Sequence, residues 1–248
     1  MNVGKFVVIE GPDGLGKTSQ SKALAEYLFG KWYRFPNRDT PFGKLIDGHL
    51  RRYWSAAASV STMTTSHRSR HEGPEMSEFF EQKGIWLDQY GDKMDALAFQ
   101  AIQLANRMEC IGPMMKTLSN QHVVCDRYWP SGYAYGGADG LDKEHMLQVH
   151  SYLPDPDVML LLDGDSKMSF ERMSARGDTR DRYEGNRGFL DKVANNYRDL
   201  WNAHKGQNGW EVVDARGSKE EVQEKIRKAV ERWGVCPIEF NRPQAAMR

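Results

Sequence analysis

Phe6-Val7-Val8-Ile9-Glu10-Gly11-Pro12-Asp13-Gly14-Leu15-Gly16-Lys17-Thr18 opens on a short apolar run and breaks into a glycine-rich turn closed by a lysine and a threonine. The spacing from Gly11 to Gly16, followed by Lys17 and Thr18, fits the Walker A pattern, in which backbone N–H groups converge on phosphate oxygens at a helix N-terminus. Glycine lets the backbone approach closely and take positive φ. Gly11, Pro12, Gly14, Leu15, Gly16, Lys17, Thr18 and Ser19 are therefore the expected nucleotide-phosphate cradle. Lys17 supplies charge to the β- and γ-phosphates and the Thr18 hydroxyl a ligand to Mg²⁺. The context supports the motif, because Phe6 to Ile9 reads as a buried strand and Ser19 to Leu28 as a helix.

Working outward, Lys31 to Phe35 reads as a second strand and Gly43 to Tyr53 as a short amphipathic helix. From Ser55 to Arg70 the composition turns to Ser, Thr, Ala and Arg, and Glu72 to Glu81 is acidic and interrupted by Gly73-Pro74, so 54–93 reads as an insertion. Helical spacing resumes near Asp95, with Leu97, Ala101, Leu104, Ala105 and Met108 expected on the buried face, and runs past Pro113 towards Leu118. His122 to Cys125 reads as a buried strand ending at Asp126, and Lys143 to Tyr152 as a helix. Asp157 to Leu162, the most apolar strand, is expected at the centre of the sheet. Ser166 to Arg176 (helix), a charged loop to Asn186, Phe189 to His204 (helix), Trp210 to Val213 (strand) and Lys219 to Trp233 (helix) complete the chain. Strands alternating with helices predict an α/β architecture, a P-loop NTPase fold with a parallel sheet of about five strands covered on both faces. The expected organisation is one domain over 1–236, with a lid at 177–187 and a surface tail at 237–248.

The chain has 248 residues, 40% of them apolar, which allows one sizeable core. Lys plus Arg and Asp plus Glu each total 34, so no global positive field directs it to nucleic acid or an anionic membrane. The odd, widely spaced cysteines Cys110, Cys125 and Cys236 fit neither a disulfide framework nor a metal site, and with no readable secretory signal they predict a reducing, cytoplasmic setting. The histidines show no paired metal spacing, His67 and His71 lying four apart in the polar insertion. Cys125 reads as packing, Met114 and Met115 as filling a helix interface, Glu10 as either strand-end structure or site, and Trp129 as either core or substrate cover.

A phosphate loop alone does not separate kinases from other nucleotide-binding proteins. In open α/β sheets ligands bind at the carboxyl ends of the strands, and those ends carry Arg34-Phe35-Pro36-Asn37-Arg38, Asp126-Arg127-Tyr128-Trp129-Pro130-Ser131 and a loop holding Arg176, Arg180 and Arg182. A phosphoryl donor and acceptor brought together repel each other, and separate guanidinium forks are a physical means of holding both in line.

With these stretches the chain resembles the thymidylate kinase family from Phe6 to about Trp233, outside the stretch near Tyr53 to Lys93. The resemblance rests on the P-loop with Asp13 inside it, Arg-Phe-Pro…Arg followed by Gly43-Lys44-Leu45, Ala105-Asn106-Arg107, Asp126-Arg127-Tyr128…Ser131 with Tyr135, Pro156-Asp157, Arg176-Gly177…Asp181-Arg182-Tyr183-Glu184, and Val213-Asp214-Ala215. It implies transfer of the γ-phosphoryl of ATP to a deoxynucleoside 5′-monophosphate with Mg²⁺, dTMP first among acceptors, and a homodimer. It further implies that Lys17 contacts the donor phosphates, Thr18 the metal, and Asp126 the metal's surroundings. Asp13 would reach the acceptor sugar and phosphate, and Arg38 and Arg127 would grip that phosphate, with Ser131 nearby. Phe35 and Arg107 would meet the base, Tyr135 and Tyr183 the deoxyribose, and Arg176 the donor adenine. Gly14 stands where one subtype carries its transition-state arginine, which leaves Arg180 and Arg182 for that role.

Two positions depart from the family pattern. Gln103 replaces the aromatic that stacks on the base, a loss on the order of ~1 kcal/mol, and Gly136 replaces a polar side chain at the base edge. These changes predict a wider, more polar pocket, open to a modified pyrimidine, a purine or several bases, or else filled from the insertion by a residue such as Trp86 or Tyr90. Three rival readings are weighed against this one. A deoxynucleoside kinase would transfer to a sugar hydroxyl and need fewer arginines, a nucleotide-dependent switch would carry a guanine-reading segment that is not found, and a silent binding module would have no use for Lys17 and Thr18.

Overall fold

A computed structural model of the chain describes residues 4–47, 92–164 and 187–238. Five strands, β1 (Phe6–Glu10), β2 (Lys31–Arg34), β3 (Val123–Asp126), β4 (Val158–Asp163) and β5 (Trp210–Asp214), form one sheet in the order β2-β3-β1-β4-β5. Every pairing is parallel. The helices are α1 (Lys17–Tyr27), α2 (Asp92–Leu118), α3 (Trp129–Ala138), α4 (Lys143–His150), α5 (Arg187–His204) and α6 (Lys219–Arg232). Residues 41–47 are also helical. The α/β architecture with a parallel sheet of five strands is as the sequence predicts.

Successive side chains of a strand point to opposite faces, and β1 shows why that covers the sheet twice. Val7 and Ile9 join Leu24, Leu28, Ile226 and Val230 in a core under α1 and α6. Phe6 and Val8 join Cys125, Tyr128, Met114 and Met159 in a second core under α2 and α3. β1, not β4, is the middle strand, which corrects the expectation drawn from the greater apolarity of β4. Both strands are flanked on each side, so both are apolar throughout, and apolarity alone does not rank interior strands.

Two expectations about helices are also corrected. In α2 the supposed buried face points outward: Leu97 and Met108 are 38% and 51% exposed, Ala101 is exposed, and Leu104 and Ala105 are half-buried. The inward face carries Phe99, Gln100, Asn106, Arg107, Cys110 and Met114. Polar residues that serve the site occupy the inner stripe, so the hydrophobic periodicity marks the wrong side. Met115, next to buried Met114, is likewise exposed rather than packed. Helix α3 is absent from the sequence reading altogether. It is buried at nearly every position from Trp129 to Ala138, and a helix enclosed all round shows no amphipathic period.

Cys125 is fully buried in β3, where burial pushes its thiol well above the ordinary range, in keeping with a packing role. Trp129 belongs to the core, tilted against Trp210 with centroids 5.9 Å apart. The insertion, apart from the start of α2, lies outside the described residues, as do the end of the helix expected over Gly43 to Tyr53, the helix over Ser166 to Arg176, lid residues 177–186 and the tail from 239.

Candidate active site

The register pairs Ile9 of β1 and Arg34 of β2 with Asp126 of β3, so the carboxyl ends of these strands lie side by side. The loops leaving them enclose a cavity of about 510 Å³. Asp13, Gly14, Gly16, Lys17, Thr18 and Ser19 line one part of it, Arg34, Phe35 and Arg38 another, and Phe99, Gln100, Gln103 and Arg107 of α2 a third. Asp126, Arg127, Ser131 and Tyr135 close the remainder.

The turn takes its shape from glycine geometry. Gly11 has φ 139°, and a Cβ on it would lie 2.5 Å from the Leu162 carbonyl oxygen of the neighbouring strand. Gly16 caps α1 at φ 80°, a left-handed conformation that glycine adopts without steric cost. Lys17, 5% exposed, folds back over the turn and donates to the Pro12 carbonyl at 2.6 Å. Burial, reinforced by Arg127 and opposed by Asp13, Asp126 and Glu10, lowers its pKa to about 8.

Asp13 accepts hydrogen bonds from Arg127 Nη2 and from the Tyr135 hydroxyl. Burial would raise its carboxyl, but Arg127 and Lys17 outweigh that and bring it down to about 2. Arg127 stands at the end of β3 with φ 68°, a left-handed conformation uncommon outside glycine. Its N–H donates to Ile9 O at 3.0 Å, and Nη1 reaches Ser131 Oγ at 3.1 Å and Tyr197 Oη at 3.4 Å. Burial disfavours its charge, yet Asp13 holds the guanidinium well above its usual value.

Glu10 resolves as structure. Its carboxylate, 1% exposed, accepts from Tyr128 N at 2.5 Å, Ser131 N at 3.2 Å, Ser131 Oγ at 2.9 Å and Tyr197 Oη at 2.8 Å. It thereby fixes the turn into α3 that presents Arg127 and Ser131. Arg38 is exposed and paired with Asp47 at 3.2 Å. Its loop is pinned by Asn106, whose amide accepts from Asn37 N at 2.8 Å and donates to Asn37 O at 3.0 Å and Thr40 Oγ1 at 2.8 Å. Arg107 is buried, its Nε donating to Tyr128 O at 3.1 Å, and burial lowers its pKa to about 10.

Thr18 Oγ1 lies 2.5 Å from Asp126 Oδ2, while Asp126 Oδ1 is buried without a hydrogen-bond partner among the described residues. A hydroxyl beside a carboxylate with a spare oxygen is hard-oxygen chemistry of the kind Mg²⁺ takes, which binds through one or two carboxylates plus substrate phosphates rather than an all-protein cage. No group of three or more His, Cys, Asp or Glu side chains forms a metal cluster among the described residues.

The structure brings together Asp13, Lys17, Thr18, Phe35, Arg38, Gln103, Arg107, Asp126, Arg127, Ser131 and Tyr135 around this cavity. Gly11, Pro12 and Leu15 are not among its lining residues, Leu15 being buried in the core under α1 and α6, and Gly136 is a further correction. It does not line the cavity; a Cβ on it would meet Met146 Sδ at 3.0 Å and Gln100 Cγ at 3.4 Å, so its glycine serves helix packing. Arg176, Arg180, Arg182 and Tyr183, like Trp86, Tyr90, His67 and His71, lie outside the described residues. The sequence reading missed Gln100, Tyr197 and His150. Gln100 had a usable signal, because 100, 103 and 107 share one helical stripe; Tyr197 and His150 had none.

A family model described as thymidylate kinase matches residues 9–90 and 86–226. A probable thymidylate kinase from Pyrococcus abyssi is 31% identical over 228 residues, covering 90% of this chain and 94% of that relative. The thymidylate kinase of Arabidopsis thaliana is 30% identical over 233 residues, covering 92% of this chain and 71% of that one. A solved structure of thymidylate kinase from Candida albicans superposes with a TM-score of 0.66 at 23% identity, covering 94% of this chain and 93% of that chain, a likeness of fold.

Proposed function

We propose, from the premise that this chain belongs to the thymidylate kinase family, that it transfers the γ-phosphoryl of ATP to the 5′-phosphate of dTMP, giving dTDP and ADP. The observation that carries the reading is that Lys17 and Thr18 of a phosphate-binding turn share one cavity with Arg38 and Arg127. Phosphoryl transfer leaves a protein little covalent work, so positioning and charge compensation supply the rate. Lys17 compensates charge on the donor phosphates. Arg38 and Arg127 hold the acceptor phosphate, Asp13 and Tyr135 fix the Arg127 fork, and Phe35 and Arg107 face the base. Thr18 and Asp126 would hold Mg²⁺, which neutralises phosphate charge when bound. With Gly14 in the turn, the family resemblance leaves Arg180 or Arg182 as the candidate transition-state arginine and implies that Tyr183 meets the sugar and Arg176 the adenine.

The exposed stripe of Leu97, Ala101, Met108 and Met115 along α2 supports a homodimer joined through that face. Light scattering of the full chain and of Met108→Glu checks this, the variant being expected to dissociate; a monomeric unmodified chain refutes it. No helix among the described residues is long and apolar enough to cross a membrane, which fits the proposed cytoplasmic location.

The activity is tested by following ADP formation from ATP with and without nucleotide acceptors. Formation that depends on dTMP is expected. Deoxythymidine serving in its place would indicate transfer to a sugar hydroxyl, and equal ADP formation without any acceptor would indicate a nucleotide-dependent switch.

A further inference from the structure

Behind the part of the cavity formed by α2 lies a buried polar pair that the reaction above does not use. Gln100 lines the cavity at 3% exposure, and its Oε1 has no hydrogen-bond partner among the described residues. His150, the last residue of α4, is equally buried, and its Nε2 also lacks a partner there. Both atoms converge on Gly132 of α3: a Cβ there would lie 2.5 Å from His150 Nε2 and 3.5 Å from Gln100 Oε1. Gly132 and Gly136, one turn apart, accept His150 and Met146, also one turn apart. The two glycines are what let α4 deliver an imidazole to the back of the pocket.

Hydrogen-bond chemistry then fixes the protons. His150 Nδ1 lies 2.6 Å from Met146 O, and a carbonyl only accepts, so Nδ1 carries the hydrogen. Burial, together with the charge of Arg107, lowers the ring to about 4, so at neutral pH Nε2 is a bare acceptor. Two buried acceptors facing the same small space are unsatisfied, and amide oxygen and nitrogen are told apart only by their network. An amide orientation with the Gln100 N–H towards His150 would give the bare Nε2 a donor and leave the Gln100 carbonyl as the acceptor for the cavity that Gln100 lines. Arg107 stands on the same stripe of α2, with Nε committed to Tyr128 O and Nη1 without a partner among the described residues.

We propose that Gln100, oriented by His150, is a specificity-determining residue whose carbonyl oxygen accepts the ring N–H of the acceptor base, beside the Arg107 guanidinium that donates to the adjacent ring carbonyl. This rests on the reading of the cavity as the acceptor-nucleotide site. A protein acceptor next to a protein donor matches the N3–H and O4 of thymine or uracil. Cytosine presents the reverse pattern, an N3 acceptor and a 4-amino donor, and is rejected. His150 acts through Gln100 and is a positioning residue.

The test measures kcat and KM for dTMP, dCMP and N3-methyl-dTMP with ATP. In the unmodified protein, blocking N3 lowers kcat/KM by about tenfold to a hundredfold, mainly through KM, and dCMP suffers a similar or larger loss. In Gln100→Leu the gap between dTMP and N3-methyl-dTMP closes to within about threefold. His150→Leu narrows the same gap and adds nothing further in the Gln100→Leu background. A purely structural role would lower both substrates together and leave the gap open in the variants, which overturns the proposal. Equal use of dTMP and N3-methyl-dTMP by the unmodified protein overturns it with no variant needed. Turnover of dTMP with either of these results leaves the kinase reading standing, whereas no turnover of any deoxynucleoside monophosphate removes that reading and this proposal together.

Discussion

The hydroxyl of Thr18, in the first turn of α1, lies 2.5 Å from Asp126 Oδ2 at the carboxyl end of β3, joining two segments 108 residues apart. The pair is the point at which the phosphate turn meets the arginine-bearing strand. Thr18→Ala or Asp126→Asn is expected to raise the Mg²⁺ concentration needed for half-maximal activity by about tenfold or more, since second oxygens are lost from a sparse ligand set. A Mg²⁺ titration of initial rates checks it, and an unchanged midpoint in both variants removes the pair from metal binding.

Lys17→Met and Arg127→Ala are each expected to lower kcat by at least about a hundredfold. Their effects on stability should differ. The Lys17 pKa falls from 10.5 to about 8 on folding, chiefly through burial, so its charge costs stability below pH 8 and the cost disappears as pH rises towards 10.5. Lys17→Met should therefore stabilise the ligand-free protein at pH 6 to 7, by up to about 3 kcal/mol. Urea denaturation at pH 7 and pH 10 checks this, with the gain shrinking at the higher pH; no gain at pH 7 refutes the burial argument.

Asp13 titrates in the opposite sense. Burial alone would raise it, but Arg127 and Lys17 depress it from 3.8 to about 2, so its stabilisation is present above pH 3.8 and is lost as pH falls through 2. The contribution is about 2 kcal/mol. Asp13→Asn should flatten the acid limb of a stability–pH curve by about one proton between those values; a curve superposable on the unmodified protein's shows that the Asp13 pairing is not maintained in solution.

Gly132→Ala places a methyl 2.4 Å from His150 Cε1. Helix α4 must shift, at a cost of about 1–3 kcal/mol. Gly140→Ala, a control where an added Cβ meets nothing within 4 Å but φ is 89°, separates a packing clash from backbone strain alone. Chemical denaturation is the measurement, and a Gly132→Ala variant as stable as the unmodified chain would show that His150 does not pack there.

Glu10→Ala strips the shared acceptor from Tyr128 N, Ser131 and Tyr197, leaving buried donors unpaired. The expected loss is about 3 kcal/mol or more, accompanied by a higher KM for dTMP because Arg127 loses the turn that aims it. Denaturation and steady-state kinetics on the same sample test the two effects together, and an unaltered KM limits Glu10 to folding.

Local chemistry determined what the sequence yields on its own. A glycine turn after an apolar strand fixes Lys17 and Thr18 at the N-terminus of α1, and strand–helix alternation fixes a parallel sheet. The arginines at strand ends then point to two anionic ligands. Tertiary structure decided everything that depends on which groups meet across the sheet. The inward stripe of α2 proved polar because Gln100, Asn106 and Arg107 face the site and the Asn37 loop, so hydrophobic periodicity pointed outward. Enclosed α3 carried no period to read, and Gly136 turned out to admit Met146 rather than widen a pocket. Glu10, Tyr197 and His150 gain their roles from partners 66 to 187 residues away or from a neighbouring helix face. Spacing along the chain encodes neighbours within a turn or a strand, but long-range pairing of buried polar groups is settled only when the packed core brings them together.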